Sequence, residues 1–194
     1  TSEDFTLVKE LFKILGMPYY QATTEAEATG AYLCRQGIVH GVMSEDTDVM
    51  AYGSPKFITG VNTHSETCCE IDIAEVLEKL EMTYEQFRDI CIMCGTDYNK
   101  NIPKIGPQKS FDLIKKLGSI DNIDEQTVYD TRILNYKRVR ELFSFPENYF
   151  TKKVRYCCQP DLHKLQEFLF VNNCKIHYHF IEKCFQSLPL KFID

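Results

Sequence analysis

A short apolar stretch, Ile38 to Met43, sits between a helix-length segment closed by Gly37 and an abrupt acidic turn, Ser44 to Asp48. An apolar run of that length bounded by turn residues reads as a buried strand, and a helix leading directly into it makes an αβ unit. The helix is announced by Thr24-Glu25-Ala26-Glu27, a capping-box pattern, and runs to about Arg35. Lys56 to Val61 reads as a second strand. Upstream, Phe5, Val8, Leu11, Phe12 and Leu15 recur at helical spacing from Asp4 until Gly16 ends the helix, and Met17 to Ala22 reads as extended.

Beyond residue 71 the pattern changes to helices alone. Asp72 to Leu80 and Thr83 to Cys94 each open on a good N-cap residue, Gly95 to Gly106 reads as a loop, and Pro107 to Leu117 is a helix closed by Gly118. Shorter helices are expected near 119–125 and 135–144, an irregular stretch through Pro146 and Pro160, and helices near 161–171 and 176–187. The whole predicts an α/β sheet half followed by an all-helical half.

A chain of 194 residues with 44% hydrophobic content can bury the core of one compact domain or two small ones. It has no run of about eighteen apolar residues, so no segment of that kind spans a bilayer. The opening Thr1-Ser2-Glu3-Asp4 lacks the basic and apolar stretches of a signal peptide and has no Met, as a segment of a longer chain would. Nine scattered cysteines predict free thiols in a reducing interior rather than a disulfide framework. Cys91 and Cys94 form a CxxC and Cys68-Cys69 a second pair, but no second CxxC completes a zinc site; buried thiols such as Cys34, Cys91, Cys94 and Cys184 are the better reading. Net charge is −6, unevenly divided: residues 1–97 hold 6 basic and 17 acidic side chains, a balance of −11, and residues 98–194 hold 16 and 11, a balance of +5. A cation-collecting site beside a surface that meets a polyanion has this asymmetry.

Four of the acids come as two tight pairs, Glu25/Glu27 in the first turn of a helix and Asp46/Asp48 just past the carboxyl end of the first strand, where open α/β sheets place their ligands. Crowded carboxylates repel one another, and Mg²⁺ relieves that by taking hard oxygen ligands. The same residues admit a purely structural account, with Glu27 as the capping-box acid, Glu25 favouring the helix dipole and the Asp pair solvating a turn.

The order of five motifs goes further: EAEA at 25–28, EDTD at 45–48, GSP at 53–55, GTDY at 95–98 and IGP at 105–107. The string PYYQATTEAEATGAYLCRQGIVHGVMSEDTDVMAYGSPKFI resembles the internal catalytic segment of flap endonucleases, the XPG-type structure-specific 5′ nucleases. ICIMCGTDYNKNIPKIGPQKSFDLI resembles the same family's third acidic motif and its helix-hairpin-helix. The likeness runs from about Thr6 to Leu117 and stays in register to about Leu188.

The resemblance implies a PIN-like α/β nuclease core, here residues 1–95, followed over 96–194 by the helix-hairpin-helix and a helical DNA-binding region. It implies Glu25, Glu27, Asp46, Asp48 and Asp97 as catalytic metal ligands for two Mg²⁺ ions, with Mn²⁺ as a substitute, and hydrolysis of DNA phosphodiesters in replication and repair. It implies DNA contacts at Lys104, Ile105, Gly106 and Lys109, with Lys115 and Lys116 adding charge, and a K⁺ held by backbone carbonyls at Asn101 and Ile105. The substrate implied is branched or flapped double-stranded DNA, in an intracellular setting that is nuclear in a eukaryote or else viral, with no membrane role.

Three features depart from the family. Its N-terminal nuclease portion, with two further aspartates and the arch, has no counterpart here. The hairpin's Gly-x-Gly reads Lys104-Ile105-Gly106, and Cys94 stands where relatives often carry a Ser that helps ligate the monovalent ion. The tail Gln186 to Ile193 lacks a convincing sliding-clamp box and reads instead as core packing by Phe180, Ile181, Phe185 and Leu188. Within the superfamily a 5′→3′ exonuclease or a Holliday-junction resolvase is the alternative; outside it, a non-catalytic DNA-structure binder or a PIN-type RNase.

Overall fold

The computed structural model describes residues 2–146, 149–150, 152–155 and 158–187. The chain packs as two compact units, one of residues 1–21 and 152–194, the other of residues 22–151. The expected boundary at residue 95 follows sequence order, and both of its flanks lie inside the second unit.

In the first unit, α1 (Ser2–Ile14) packs on α9 (Leu162–Val171) through Ile14, Leu165 and Leu169, with Leu11, Leu15 and Ile181 around them. Gly16 takes a left-handed φ of +67° and comes so close to the Cys158 carbonyl that a Cβ there would stand 2.3 Å from it. Only the C-terminal part of the predicted apolar stripe of α1 is covered; Phe5 is 69% exposed. In α10 (Tyr178–Ser187) Ile181 packs as expected, whereas Phe180 faces solvent. The tail from residue 188 lies outside the described residues.

The second unit carries the sheet. Helix α2 (Ala26–Arg35) ends in a Schellman motif: Ile38 N–H donates to the Leu33 carbonyl and Gly37 N–H, at φ +67°, to that of Cys34. The chain then bends through residues 38–40, so the expected six-residue strand shrinks to β1 (Val42–Met43). His40, which a longer strand would have included, turns to the Glu70 carboxylate at 3.1 Å. β1 pairs in parallel with β2 (Lys56–Asn62), Val42 opposite Phe57. β2 pairs antiparallel with β3 (Thr67–Asp72). This last strand is not evident in the sequence because Thr67 to Glu70 are all exposed, so no apolar alternation marks it.

Helices α4 (Ile73–Leu80) and α5 (Tyr84–Cys94) start where expected, capped by the Asp72 carboxylate and by a full Thr83–Gln86 capping box. After the loop come α6 (Pro107–Leu117), α7 (Ile120–Gln126), a 3₁₀ turn (Thr131–Leu134) and α8 (Tyr136–Leu142). One core runs from α2 and α3 (Asp48–Ala51) through Ile92, Met93, Ile105 and Ile114 to Ile120, Val139 and Phe143. Among the cysteines, Cys34 is buried and Cys91 and Cys94 half-buried, but Cys184 is exposed, against the buried reading.

A buried ion pair fastens α5 to α7 and α8. Asp89, 2% exposed, accepts Arg140 Nε at 2.7 Å and Nη2 at 2.5 Å, plus the Ile120 N–H at 3.1 Å. Arg140 Nη1 also reaches Asp121 at 2.7 Å and the guanidinium lies 4.8 Å from the Tyr136 ring centroid. Arg140→Ala strands Asp89 as a buried charge and should cost about 3–5 kcal/mol in urea unfolding, whereas Asp89→Leu with Arg140→Met should recover most of it. A loss below about 1 kcal/mol for Arg140→Ala would show the pair to be peripheral.

Candidate functional site

The two acidic pairs and Asp97 all belong to the second unit, each on a separately braced segment. Helix α2 begins one residue later than the capping box requires: Glu25 is its N-cap, in extended conformation, and makes no side-chain cap hydrogen bond. The Thr24 hydroxyl instead lies 3.1 Å from the Tyr149 hydroxyl. Glu27 does not reach back to the helix start but accepts the Ser44 Oγ hydrogen bond at 3.3 Å. The reading of Glu27 as a capping-box acid therefore fails.

Ser44 organises the acidic turn. Its N–H donates to the Ile58 carbonyl at 3.1 Å, prolonging the β1–β2 ladder, and its hydroxyl also accepts the Asp46 N–H at 3.1 Å. Asp46 Oδ1 in turn accepts the Asp48 N–H at 2.9 Å, an Asx turn that starts α3. Glu45 points away onto β2, where it accepts from Thr59 Oγ1 at 3.2 Å. Sequence reasoning singled out the acids and passed over Ser44, although a Ser two residues before an Asp is a recognisable turn signal.

Asp97 sits in a turn bolted to the end of α5. Gly95 takes φ +92°, Thr96 Oγ1 donates to Asn99 Oδ1 at 2.7 Å and accepts the Tyr98 N–H, and Asn99 Nδ2 donates to the Ile92 carbonyl at 2.8 Å. The Tyr98 hydroxyl meets that of Tyr52, at the end of α3, at 2.7 Å.

These segments place the five carboxylates in one electrostatic neighbourhood. Asp48, half-buried, has its carboxyl pushed up to about 6, first by burial and then by Asp46, Asp97, Glu27 and Glu25. Among the described residues none of the five pairs with a Lys, Arg or His. Their oxygens stand apart in this arrangement: among the described residues no three Asp, Glu, His or Cys side chains close on a common point at ligating distance. Hard oxygen donors, negative charge with no protein counter-ion and a carboxyl driven toward its protonated form are the chemistry that suits a divalent cation such as Mg²⁺.

The loop from Asn101 to Gly106 leads into α6. Lys104, in the place of the expected glycine, adopts the left-handed φ of +67° that such a turn demands. Its carbonyl accepts Lys109 Nζ at 3.2 Å, and the Gly106 carbonyl accepts the Ser110 N–H and hydroxyl, both at 3.0 Å. Ile105 is buried, so any contact it offers outward is through its backbone; Asn101, Lys104 and Lys109 are exposed. Lys115 is committed elsewhere, its ammonium closing α4 at the Leu80 and Glu81 carbonyls, 2.7 and 3.0 Å away. Burial pushes the Cys91 thiol up to about 12 and raises that of Cys94 too, so neither is a reactive thiolate.

Residues 16–97 match the family model described as the XPG I-region. The chain is 35% identical to "Flap endonuclease 1" of Babesia bovis over 89% of its own length and 25% of the relative's. It is 32% identical to "Probable RAD2-like endonuclease 369L" of Invertebrate iridescent virus 6, over 99% of its length and 52% of the relative's. Its fold matches flap endonuclease-1 from Methanococcus jannaschii with a TM-score of 0.74 at 28% identity, over 94% of this chain and 56% of that one. Sheet, helices and acidic segments thus define a PIN-like nuclease fold. The chain is similar to XPG-type flap endonucleases, and it spans between a quarter and about half of the length of these relatives.

The raised Asp48 carboxyl has a signed consequence. A folded-state value near 6 against 3.8 unfolded means that the native protein holds the extra proton, so this group's contribution to stability falls as pH rises from about 4 to about 6. In chelator, Asp48→Asn should therefore gain melting temperature relative to wild type between those pH values. A difference that stays constant with pH would contradict the raised carboxyl.

Proposed function

We propose that the protein is a structure-specific 5′ nuclease that hydrolyses phosphodiesters of branched DNA, with the 5′ flap as its substrate class, in replication or repair. The observation that carries this reading is the gathering of Glu25, Glu27, Asp46, Asp48 and Asp97 around one half-buried carboxylate with no protein counter-ion, in a chain similar to XPG-type flap endonucleases. Those five residues are the proposed ligands of Mg²⁺ or Mn²⁺. The chemistry such ions supply when bound is charge that activates a water and stabilises the leaving oxygen of a phosphodiester.

The chain's own part is placement. Ser44 holds Glu27 and the Asp46 backbone; the Asx turn fixes the Asp pair; the Thr96–Asn99 turn presents Asp97. With all five assigned to cation binding, water is the proposed attacking group. The hairpin and first turn of α6 offer backbone N–H groups and exposed Lys104 and Lys109, a surface suited to phosphates and not to base edges. Carbonyls at Asn101 and Ile105 are the proposed ligands of a K⁺ there.

Asp46→Asn or Asp48→Asn should abolish cleavage of a 5′ flap in Mg²⁺ while leaving DNA affinity equal or slightly higher. Near wild-type cutting by either variant, or cutting in excess EDTA, contradicts the assignment. Comparison of a 5′ flap, a nicked duplex and a four-way junction tests the substrate class, with preference for the flap expected.

Duplex binding should be independent of sequence and sensitive to salt. Lys109→Ala should lower the slope of log affinity against log salt by roughly 0.9, the loss of one phosphate contact. Lys79→Ala, whose ammonium faces Glu75 at 3.8 Å on α4, should change neither slope nor affinity. The opposite result would place the DNA surface elsewhere.

A further inference from the structure

We infer that the hydrogen-bonded hydroxyls of Tyr52 and Tyr98 are a positioning pair that fixes the separation of the Asp48 and Asp97 carboxylates and thereby the affinity of the site for divalent cations. This rests on the nuclease reading above and adds two positioning residues to it.

The two carboxylates come from segments far apart in sequence. Asp48 opens α3, and Tyr52 closes it one turn later, its N–H donating to the Asp48 carbonyl at 2.9 Å. Tyr98 directly follows Asp97 in the Thr96–Asn99 turn. The 2.7 Å contact between the hydroxyls joins the two segments. Among the described residues no other hydrogen bond does so.

Packing alone does not account for the hydroxyls. Both rings stand edge-on to Phe143, with centroid distances of 4.9 Å for Tyr52 and 5.8 Å for Tyr98. Phenylalanine at either position would keep those contacts. Tyr52 is buried, so its hydroxyl needs a protein partner, and the partner it has is the residue beside Asp97. Asp97 is among the charges that repel Asp48. Repulsion drives the two turns apart, and the phenol bridge opposes it at a point one residue from Asp97 and four from Asp48. Residues that orient metal ligands without touching the metal commonly govern its affinity.

The test is Mn²⁺ binding, read by electron paramagnetic resonance of the free ion, in wild type, Tyr52→Phe, Tyr98→Phe, the double variant and Tyr136→Phe. The last is a control that removes a tyrosine hydroxyl bond, 2.9 Å to Asp121, at the α7–α8 contact. Each single variant should weaken Mn²⁺ binding roughly tenfold. The double variant should be no weaker than the singles, since both act through one bond. Tyr136→Phe should lower the melting temperature at least as much as the other two while binding Mn²⁺ like wild type. Tyr52 and Tyr98 variants that bind like wild type overturn the inference and leave the metal site standing, as does a loss in Tyr136→Phe equal to theirs. Wild type that binds no Mn²⁺ overturns the reading of the site itself.

Discussion

Carboxylates of like charge, brought together without a lysine or arginine among them, repel one another, and that repulsion is the constraint on which the second unit is built. The folded protein meets it with rigid backbone. Glu25 and Glu27 are fixed by the start of α2, Asp46 and Asp48 by a turn stitched to β2, and Asp97 by a turn anchored on α5. Glu25, Asp46 and Asp97 each lie within one residue of a hydrogen bond that their own charge does not provide. Burial first, and then repulsion from the other four acids, pushes the Asp48 carboxyl up to about 6.

The more distant parts of the unit serve the same end. α5 carries the Asp97 turn at its C-terminus and is held from the other side by the buried Asp89–Arg140 pair, which ties it to α7 and α8. Phe143, just past α8, receives the rings of both Tyr52 and Tyr98. A structural ion pair thus supports, through one helix and one phenylalanine, the alignment of a site to which it contributes no ligand. The two roles of charge are separate: Asp89 is neutralised inside the protein, whereas the five site acids are left for something outside it.

Much of this was legible in the sequence because the signals are local. The N-caps Asp72 and Thr83, the closing glycines Gly37 and Gly118 and the Pro107 start gave element boundaries within a residue or two. Where tertiary contacts override local pattern, the structure departs from what the sequence signals. Thr24 has the sequence of a capping residue but bonds to Tyr149, far away in the chain, and Glu27 is released from the capping box. The apolar run from Ile38 bends because Gly37 completes a helix terminus and His40 is drawn to Glu70. β3 escaped notice because an exposed edge strand carries no hydrophobic alternation. Of the proposed site, the two acidic pairs stand out by type and spacing and Asp97 by the family resemblance, while Ser44, Tyr52 and Tyr98 make contacts that no spacing announces. Lys104 is a further case: a glycine pattern is missing, yet the left-handed turn it would have served is present.

Glu25, Glu27, Asp46, Asp48 and Asp97 are the proposed ligands of one divalent-cation site. Diffraction at the manganese absorption edge from crystals soaked in Mn²⁺ tests it most directly. Anomalous density is expected, with oxygens of Asp48, of Asp97 and of at least one residue of the Glu25/Glu27 pair drawn in to about 2.1 Å. Density confined to other acids, such as those of the β2–β3 hairpin, with Asp97 left outside the coordination shell, would contradict it.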